Sequence, residues 1–440
     1  MKTARQTAFE ILNKIQRDNS YSNLALDSVL DKTQADSTDK RLISAIVYGV
    51  VERKLTLDYN LSLYLSQPLK KLKPQVLTIL QMGAYQLLFM DKIPASAAVN
   101  ESVKLAKNNQ AAFASGLVNA VLHKIQNAGL KLPDENEKNF RSIKFSAPQW
   151  LIDLWDSSYG KDNTDRLLES SFGGTETTVK VNTLKTDADK LIELLSAEGV
   201  EAEKSSVLSD ALIIRNGGAL HKTKCYTDGM FHVQDIASQL CCAALSVNDG
   251  DTVLDICSAP GGKSFTLAEM MHGSGKVYSF DIYEHRLSLI KKGAERLGIN
   301  CIETMKNDGS VYNSDIPKAD KILCDVPCAG LGVIRKKPEI RYKESAEVDK
   351  ISDLQYSIIC ASAEYLKQGG ILVYSTCSLN PEENERIIEK FLSEHNNFRT
   401  VIVHSELKRI GKDTDYITLM PHVHGCDGFF IAALQKIEVV

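Results

Sequence analysis

The chain has 440 residues, which is long enough for two or three domains, and its 43% hydrophobic and 25% charged residues are typical of globular proteins. No apolar run approaches the roughly 18 residues that cross a membrane, and the first residues, MKTARQTAFEILNKI, lack a signal-peptide pattern. We therefore expect a cytoplasmic protein without a membrane partner.

The net charge of -4 is unevenly distributed along the chain. Residues 1–130 contain 16 Lys and Arg against 10 Asp and Glu, so the remainder of the chain is acidic. Such asymmetry is compatible with a basic module that contacts RNA, although ordinary solvated surfaces also carry a surplus of this size.

The ten cysteines all lie in the second half of the chain. They include no C-x-x-C pair and no Cys and His spacing suited to zinc, so neither disulfides nor a metal site are expected. Most should be small buried side chains, and this is the expectation for Cys241, Cys242, Cys301, Cys324 and Cys360.

Apolar residues recur at helical spacing almost throughout the first 125 residues, which predicts a helical bundle over residues 1–130. Two of its stretches, DKRLISAIVYGVVERKLTLD at 39–58 and ASGLVNAVLHKI at 114–125, resemble the NusB-like RNA-binding domain. A purely structural bundle is the alternative. Three lysines are candidate phosphate contacts, or else an ordinary solvated cluster: Lys70, Lys71 and Lys73.

Residues 131–145 are polar and rich in turn formers, which predicts a linker. Residues 146–238 then predict a small α/β subdomain. Its expected elements are helices over 146–160, 162–171 and 188–199 and strands over 178–185, 211–216 and 229–235.

Residues 239–440 alternate between short apolar runs rich in β-formers and helical stretches. The expected strands are 252–256, 276–281, 301–305, 321–326, 370–376, 399–403 and 428–434. The expected helices are 264–271, 284–297, a long helix within 348–367, and 381–393. Repeated βα units of this kind predict a doubly wound α/β sheet with right-handed crossovers.

The stretch TVLDICSAPGGKS at 252–264 predicts a strand, a glycine-rich turn and the start of a helix. In an open α/β sheet such a turn lies at the carboxyl end of a strand, where backbone N–H groups face a ligand. Two nucleotide motifs do not fit it. The first glycine of a phosphate loop would fall on Cys257, and the adjacent Gly261 and Gly262 break the dinucleotide fingerprint.

Residues 257–263 read CSAPGGK and resemble the C-A-A-P-G-G-K motif of the RNA cytosine-5 methyltransferases, with Ser258 in place of the usual alanine. VNTLK at 181–185 and VQDIAS at 233–238 resemble segments that precede the catalytic domain in that family, where the small subdomain joins it in binding RNA. The resemblance implies a class I, Rossmann-like sheet that closes with an antiparallel hairpin, S-adenosylmethionine as methyl donor and no metal. The cofactor-binding residues expected from it are Cys257, Ser258, Ala259, Pro260, Gly261, Gly262, Lys263, Asp281, Asp308 and Asp325.

Two of these carboxylates follow neighbouring strands. Asp281 ends the strand at 276–281, where it can accept hydrogen bonds from both hydroxyls of a ribose, although a helix-capping Asp is the alternative. Asp308 follows the next strand, and the resemblance implies that it contacts the adenine amino group.

Methylation at cytosine C5 calls for a cysteine, because C5 is a poor nucleophile until a thiolate has added at C6. Cys328 in LCDVPCAGLG and Cys377 in YSTCSLNPEENE each follow an apolar strand, and either alone could be a buried core thiol. The resemblance implies that Cys377 attacks C6 and that Cys328 assists proton removal or release of the enzyme thiol. Asp325 is expected near cytosine N3, and Lys263 as a cation among the carboxylates, with a surface lysine as its alternative.

A basic segment follows the Asp325 loop directly and is expected to bind phosphates that flank the target base. Its candidate residues are Arg335, Lys336, Lys337 and Arg341. Near the end of the chain, HGCDGFF matches a terminal family motif, and its His424, Asp427 and Gly428 are expected to shape the pocket without a catalytic role.

The resemblance covers nearly the whole chain and implies 16S ribosomal RNA as the substrate of a monomeric enzyme. A cytosine-5 methyltransferase that acts on transfer RNA is one alternative. The other is a non-catalytic RNA-binding assembly factor, against which the presence of both cysteines argues.

Overall fold

The computed structural model describes residues 2–18, 22–30, 33, 35–174, 176–216, 218–348, 350–402, 405–410 and 415–438. The chain divides into two compact units. The first comprises Met1–Gly173 and Ile334–Lys343, and the second comprises Gly174–Val333 and Glu344–Val440. Among the residues described, no helix is both long and apolar enough to cross a membrane.

The described part of the first unit is helical. Its α-helices are α1 (Ala4–Asp18), α2 (Ser22–Leu30), α3 (Ser37–Glu52), α4 (Lys54–Ser62), α5 (Pro74–Phe89), α6 (Ala95–Asn108), α7 (Ser115–Ala128), α8 (Phe140–Lys144), α9 (Gln149–Tyr159) and α10 (Lys161–Ser170). Ala8, Ile11 and Leu12, which share one face of α1, are at most 1% exposed. The helical bundle predicted from apolar spacing is therefore confirmed.

The first unit differs from the expected boundaries in two places. The short helix α8 lies inside the stretch 131–145 that was expected to be a linker, where the polar sequence carries no helical periodicity. Helices α9 and α10 group with the bundle and not with the strands that follow them. The domain boundaries drawn from the sequence remain predictions.

The second unit begins with a four-stranded antiparallel sheet. Its elements are β1 (Thr177–Val181), α11 (Ala188–Ala197), β2 (Glu201–Lys204), β3 (Ala211–Asn216), α12 (Lys224–Thr227) and β4 (Phe231–Val233). The strand order is β2-β3-β1-β4. Strand β2 is absent from the prediction because its sequence, EAEK, is mostly exposed and shows no apolar alternation.

The larger sheet of the second unit has eight described strands. In chain order its elements are α13 (Ile236–Leu245), β5 (Thr252–Asp255), α14 (Gly262–Met270), β6 (Lys276–Asp281), α15 (Glu284–Leu297), β7 (Ile302–Lys306), β8 (Ala319–Asp325), α16 (Ser345–Val348), α17 (Ser352–Tyr365), β9 (Leu366–Thr376), α18 (Glu385–Glu394), β10 (Phe398–Thr400), α19 (Ser405–Ile410), β11 (Ile417–Leu419), α20 (Pro421–His424) and β12 (Phe429–Lys436). Strands β5 to β9 are parallel, and β10, β11 and β12 pair antiparallel.

The strand order is β10-β12-β9-β8-β5-β6-β7, with β11 beside β12. The doubly wound sheet and its antiparallel closing strands are thus confirmed. The strand expected at 399–403 is shorter, β10, and Val403 lies outside the described residues. Strand β5 has β6 on one side and β8 on the other, so the sheet changes winding direction there, and ligands of such sheets bind beside the carboxyl ends at that point.

Candidate active site

The turn after β5 is shaped by Gly261. This residue has φ of 110°, and a Cβ there would lie 2.6 Å from the ring of Phe265, so a side chain would be strained and crowded. Helix α14 begins at the next residue, which leaves its first N–H groups at the carboxyl end of the sheet. Ser258, the departure from the family motif, is accommodated because its hydroxyl donates to the Phe280 carbonyl at 2.8 Å.

Asp255, the last residue of β5, is a site residue that the sequence prediction missed. Its side chain is fully buried, and the Ser264 hydroxyl donates to its Oδ2 at 2.6 Å. Within the described part of the chain, its Oδ1 has no hydrogen-bond partner. Burial raises the pKa of Asp255 to about 7. The available signal was an acid that directly follows the apolar residues Val253 and Leu254 at the end of a strand.

Asp281 ends β6, and Asp308 follows the neighbouring strand β7. Asp281 is 5% exposed, its Oδ1 accepts the Tyr283 N–H at 2.9 Å, and its Oδ2 lies 3.1 Å from Arg286 Nη1. Asp308 is exposed, and its Oδ1 accepts from the hydroxyl and the N–H of Ser310, which lower the pKa of Asp308. Arg286 carried no signal in the sequence.

The two candidate thiols meet because their strands are neighbours. Asp325 of β8 is in register with Ser375 of β9, so the loops that follow both strands emerge side by side. The Sγ atoms of Cys328 and Cys377 are 3.2 Å apart, and both side chains are partly exposed. A hydrogen bond from the Cys328 thiol lowers the pKa of Cys377, and the same bond, with burial, raises the pKa of Cys328.

An ion pair lies beside the thiols. Lys263 Nζ is 2.7 Å from Asp325 Oδ2, and the Ser375 hydroxyl donates to Asp325 Oδ1 at 2.9 Å. Burial acts to lower the pKa of Lys263, but the Asp325 carboxylate and the Cys241 and Cys242 thiols together outweigh burial and raise that pKa overall. Lys263 Nζ also lies 5.3 Å from the centre of the Phe429 ring. The structure thus brings together four residues expected from the sequence: Lys263, Asp325, Cys328 and Cys377.

The terminal HGCDGFF stretch packs on the loop after Cys328. The Gly428 N–H donates to the Gly332 carbonyl at 2.9 Å, and the Gly332 N–H donates to the Cys377 carbonyl at 2.9 Å. A Cβ on Gly332 would lie 2.0 Å from the Gly428 oxygen, so the close approach needs glycine at position 332. This packing fits the expectation that the stretch shapes the pocket.

The prediction that Arg341 contacts RNA is wrong for this structure. Arg341 is fully buried within the first unit, where its guanidinium contacts the carbonyls of Glu52, Phe145 and Ser171 at 3.4 to 3.5 Å and the Ser171 hydroxyl at 3.1 Å. A group enclosed in this way has no face for a phosphate. The other basic residues stay candidates, because they are partly or fully exposed: Arg335, Lys336, Lys337, Lys70, Lys71 and Lys73.

Comparison with known proteins places these features in a family. Residues 2–127 match the NusB family, residues 147–221 match the ferredoxin-like domain of RsmF/B-like methyltransferases, and residues 242–435 match the 16S rRNA methyltransferase RsmB/F. These matches and the fold define an S-adenosylmethionine-dependent methyltransferase of the ribosomal RNA methyltransferase type.

Relatives match along the full length of the chain. A probable ribosomal RNA small subunit methyltransferase B from Bacillus subtilis is 35% identical over 99% of each chain, and one from Synechocystis is 34% identical over 99% of this chain and 100% of the relative. A crystal structure of the protein PH0851 superposes with a TM-score of 0.84 at 26% identity over 99% of both chains. This chain belongs to the RsmB/F family of ribosomal RNA small subunit methyltransferases.

Proposed function

We propose that this methyltransferase transfers a methyl group from S-adenosylmethionine to C5 of a cytosine in 16S ribosomal RNA, through a covalent bond between Cys377 and C6. The observation that carries the proposal is the pair of thiols 3.2 Å apart at the carboxyl edge of the sheet, beside the Lys263–Asp325 ion pair. The hydrogen bond between the two thiols favours the Cys377 thiolate, and the nearby Lys263 cation adds a smaller favourable charge.

Cys377 is the nucleophile because it stands in the YSTC stretch, the position that attacks C6 in the family that the chain resembles, and its hydrogen bond with Cys328 lowers its pKa. Addition of the Cys377 thiolate to C6 places an electron pair on the N3 side of the ring and makes C5 enamine-like. Asp325, held by Lys263 and Ser375, orients the base by accepting from the amino group on its N3 edge, and the Lys263 cation stabilises the negative charge that develops there. S-adenosylmethionine, when bound, supplies the electrophilic methyl group.

Cys328 acts after methyl transfer. The C5 proton must then leave and the Cys377–C6 bond must break, which restores the aromatic ring. Because the Cys328 sulfur lies 3.2 Å from the Cys377 sulfur, it is placed to assist proton removal or to return a proton to the departing thiolate. The base must leave any stack to reach both thiols.

The residues at the carboxyl ends of β5 and β6 fit S-adenosylmethionine. Asp281 has two carboxylate oxygens with acceptor capacity beyond their bonds to Tyr283 and Arg286, which suits the two hydroxyls of a ribose. Among the residues that the structure describes, the Oδ1 of Asp255 is a buried acceptor without a partner, and the methyl donor is a cation. The turn at 257–263 and Asp308 complete the proposed cofactor site.

Methyl transfer to purified 16S RNA and to small ribosomal subunits tests the proposal, with transfer RNA as a comparison. Cys377→Ala should abolish turnover and leave no covalent RNA complex. Cys328→Ala should accumulate a denaturation-resistant protein–RNA band in the presence of S-adenosylmethionine. Cys360→Ala, which changes a partly exposed thiol on α17, is the matched control and should behave as wild type. A covalent band in Cys377→Ala with normal turnover in Cys328→Ala would reverse the two roles.

A further inference from the structure

Glu383 forms hydrogen bonds to both of the loops that carry Cys328 and Cys377. It belongs to the NPEENE stretch after Cys377 and is fully buried. Its Oε2 accepts the Ala329 N–H at 2.7 Å, and its Oε1 accepts the Ser378 hydroxyl at 2.6 Å. These donors directly follow Cys328 and Cys377 in the chain, so one carboxylate joins both loops.

Two buried amides complete the surroundings of this carboxylate. The Gln355 side-chain amide donates to Glu383 Oε2 at 3.1 Å and to the Pro327 carbonyl at 2.8 Å, just before Cys328. The Asn380 amide donates to Glu383 Oε1 at 3.2 Å. A carboxylate accepts hydrogen bonds at about four positions, so these four donors match its full capacity.

We propose that Glu383 is a positioning residue that sets the separation of the two thiols by holding the residues that follow them. The proposal rests on the proposed function in that it takes both thiols to be catalytic. A buried carboxylate is costly unless hydrogen bonds satisfy it, and an apolar side chain would fill the same volume without that cost. Four charge-assisted bonds instead fix the two loops in one geometry.

The two halves of the reaction depend differently on this geometry. Attack on C6 needs the Cys377 sulfur and the base, whereas release also needs the Cys328 sulfur close to the same bond. A small shift between the loops therefore slows release more than attack, and a displacement of about 1 Å can cost about 100-fold in rate.

The test replaces Glu383 by glutamine, which has the same size. The NH₂ group of the glutamine would then face groups that are themselves hydrogen-bond donors. Glu383→Gln should lower multiple turnover on small-subunit RNA about 10- to 100-fold while the KM for S-adenosylmethionine stays within about twofold. It should also accumulate the covalent RNA band. Glu382→Gln, the same change at an exposed neighbouring position, is the matched control and should show wild-type turnover without a band.

Ser378→Ala is a second, milder variant for the case that Glu383→Gln does not fold. It removes one of the four donors and leaves the carboxylate in place. It should lower turnover about three- to tenfold and accumulate a fainter band. The proposal is overturned if both variants melt cooperatively and turn over at the wild-type rate per folded molecule without a band.

Binding of phenylarsine oxide, which bridges two nearby thiols, separates this proposal from the proposed function because it involves no RNA. The wild type should bind it, Cys328→Ala should not, and Glu383→Gln should bind about tenfold more weakly. If no variant ever forms a covalent RNA band but Glu383→Gln weakens arsenical binding, positioning stands and the proposed function fails. Unchanged arsenical binding in Glu383→Gln overturns the positioning role itself.

Discussion

At the carboxyl ends of β5 and β6, the candidate cofactor groups are of two kinds. They are the backbone atoms of a turn whose shape depends on Gly261, and the carboxylates at the strand ends. At the carboxyl ends of β8 and β9, the reactive groups are two thiols. They lie on loops that are joined through the buried side chain of Glu383. The turn of the first arrangement is local in sequence, because it and the helix after it are consecutive. The second is assembled from residues tens of positions apart. A substitution at the ends of β5 and β6 should therefore impair cofactor binding, whereas a substitution at the ends of β8 and β9 should impair catalysis.

The largest expected effect lies on the thiol side. Lys263→Met keeps the length of the side chain but leaves Asp325 without the cation 2.7 Å away. Because preorganised charge near the reacting base is lost, kcat should fall about 100- to 1,000-fold. Single-turnover methyl transfer checks this, with Lys276→Met, a change of an exposed lysine on β6, as the control. If Lys263→Met loses only cofactor affinity, Lys263 serves cofactor binding and not the chemistry at the thiols.

On the cofactor side, Asp281→Ala should weaken S-adenosylmethionine binding and leave thiol chemistry intact. Loss of a charge-assisted acceptor costs about 1.5 to 3 kcal/mol, which corresponds to about 10- to 100-fold in Kd. Titration calorimetry measures the affinity, and Asp315→Ala, at an exposed position, is the control. Unchanged affinity would remove Asp281 from the cofactor site.

A smaller effect should follow from Gly261→Ala. With φ at 110° and Phe265 2.6 Å from the new Cβ, the variant should lose about 1 to 3 kcal/mol of stability. Gly262→Ala is the matched control for stability, since its Cβ would meet only Gln234 Nε2 at 3.8 Å. Thermal melting of both variants decides whether the turn depends on backbone conformation at position 261. Equal melting temperatures would contradict that dependence.

The same contrast explains which features could be predicted from the sequence. The order of βα units and the turn at 252–264 are encoded by consecutive residues, and the approach of Cys328 to Cys377 follows from the ends of parallel strands meeting at one edge. The roles of Arg341 and Glu383 could not be predicted in this way. The partners of Arg341, and the Ala329 and Gln355 donors of Glu383, lie in distant parts of the chain, and neither burial nor satisfaction of a charge has a local signature.

Asp255 provides the last and smallest effect, which is a change in how stability depends on pH. Burial raises the pKa of Asp255 to about 7 in the folded protein, whereas an unfolded Asp titrates near its ordinary value of 3.8. Between these values the unfolded chain binds fewer protons than the folded one, so the free energy of unfolding falls as pH rises from about 4 to about 7. The contribution of this one group should be on the order of 1 kcal/mol for each pH unit in that window.

Asp255→Asn removes the titration while its amide oxygen can still accept the Ser264 hydroxyl. Urea unfolding of the protein without cofactor, measured at pH 5.5 and 6.5, should therefore show a smaller decline for the variant than for the wild type. Asp315→Asn, at an exposed carboxylate, is the control and should keep the wild-type slope. If Asp255→Asn also keeps that slope, the Asp255 carboxylate does not titrate near pH 7. The buried acceptor beside the cofactor turn would then be an ordinary ionised aspartate.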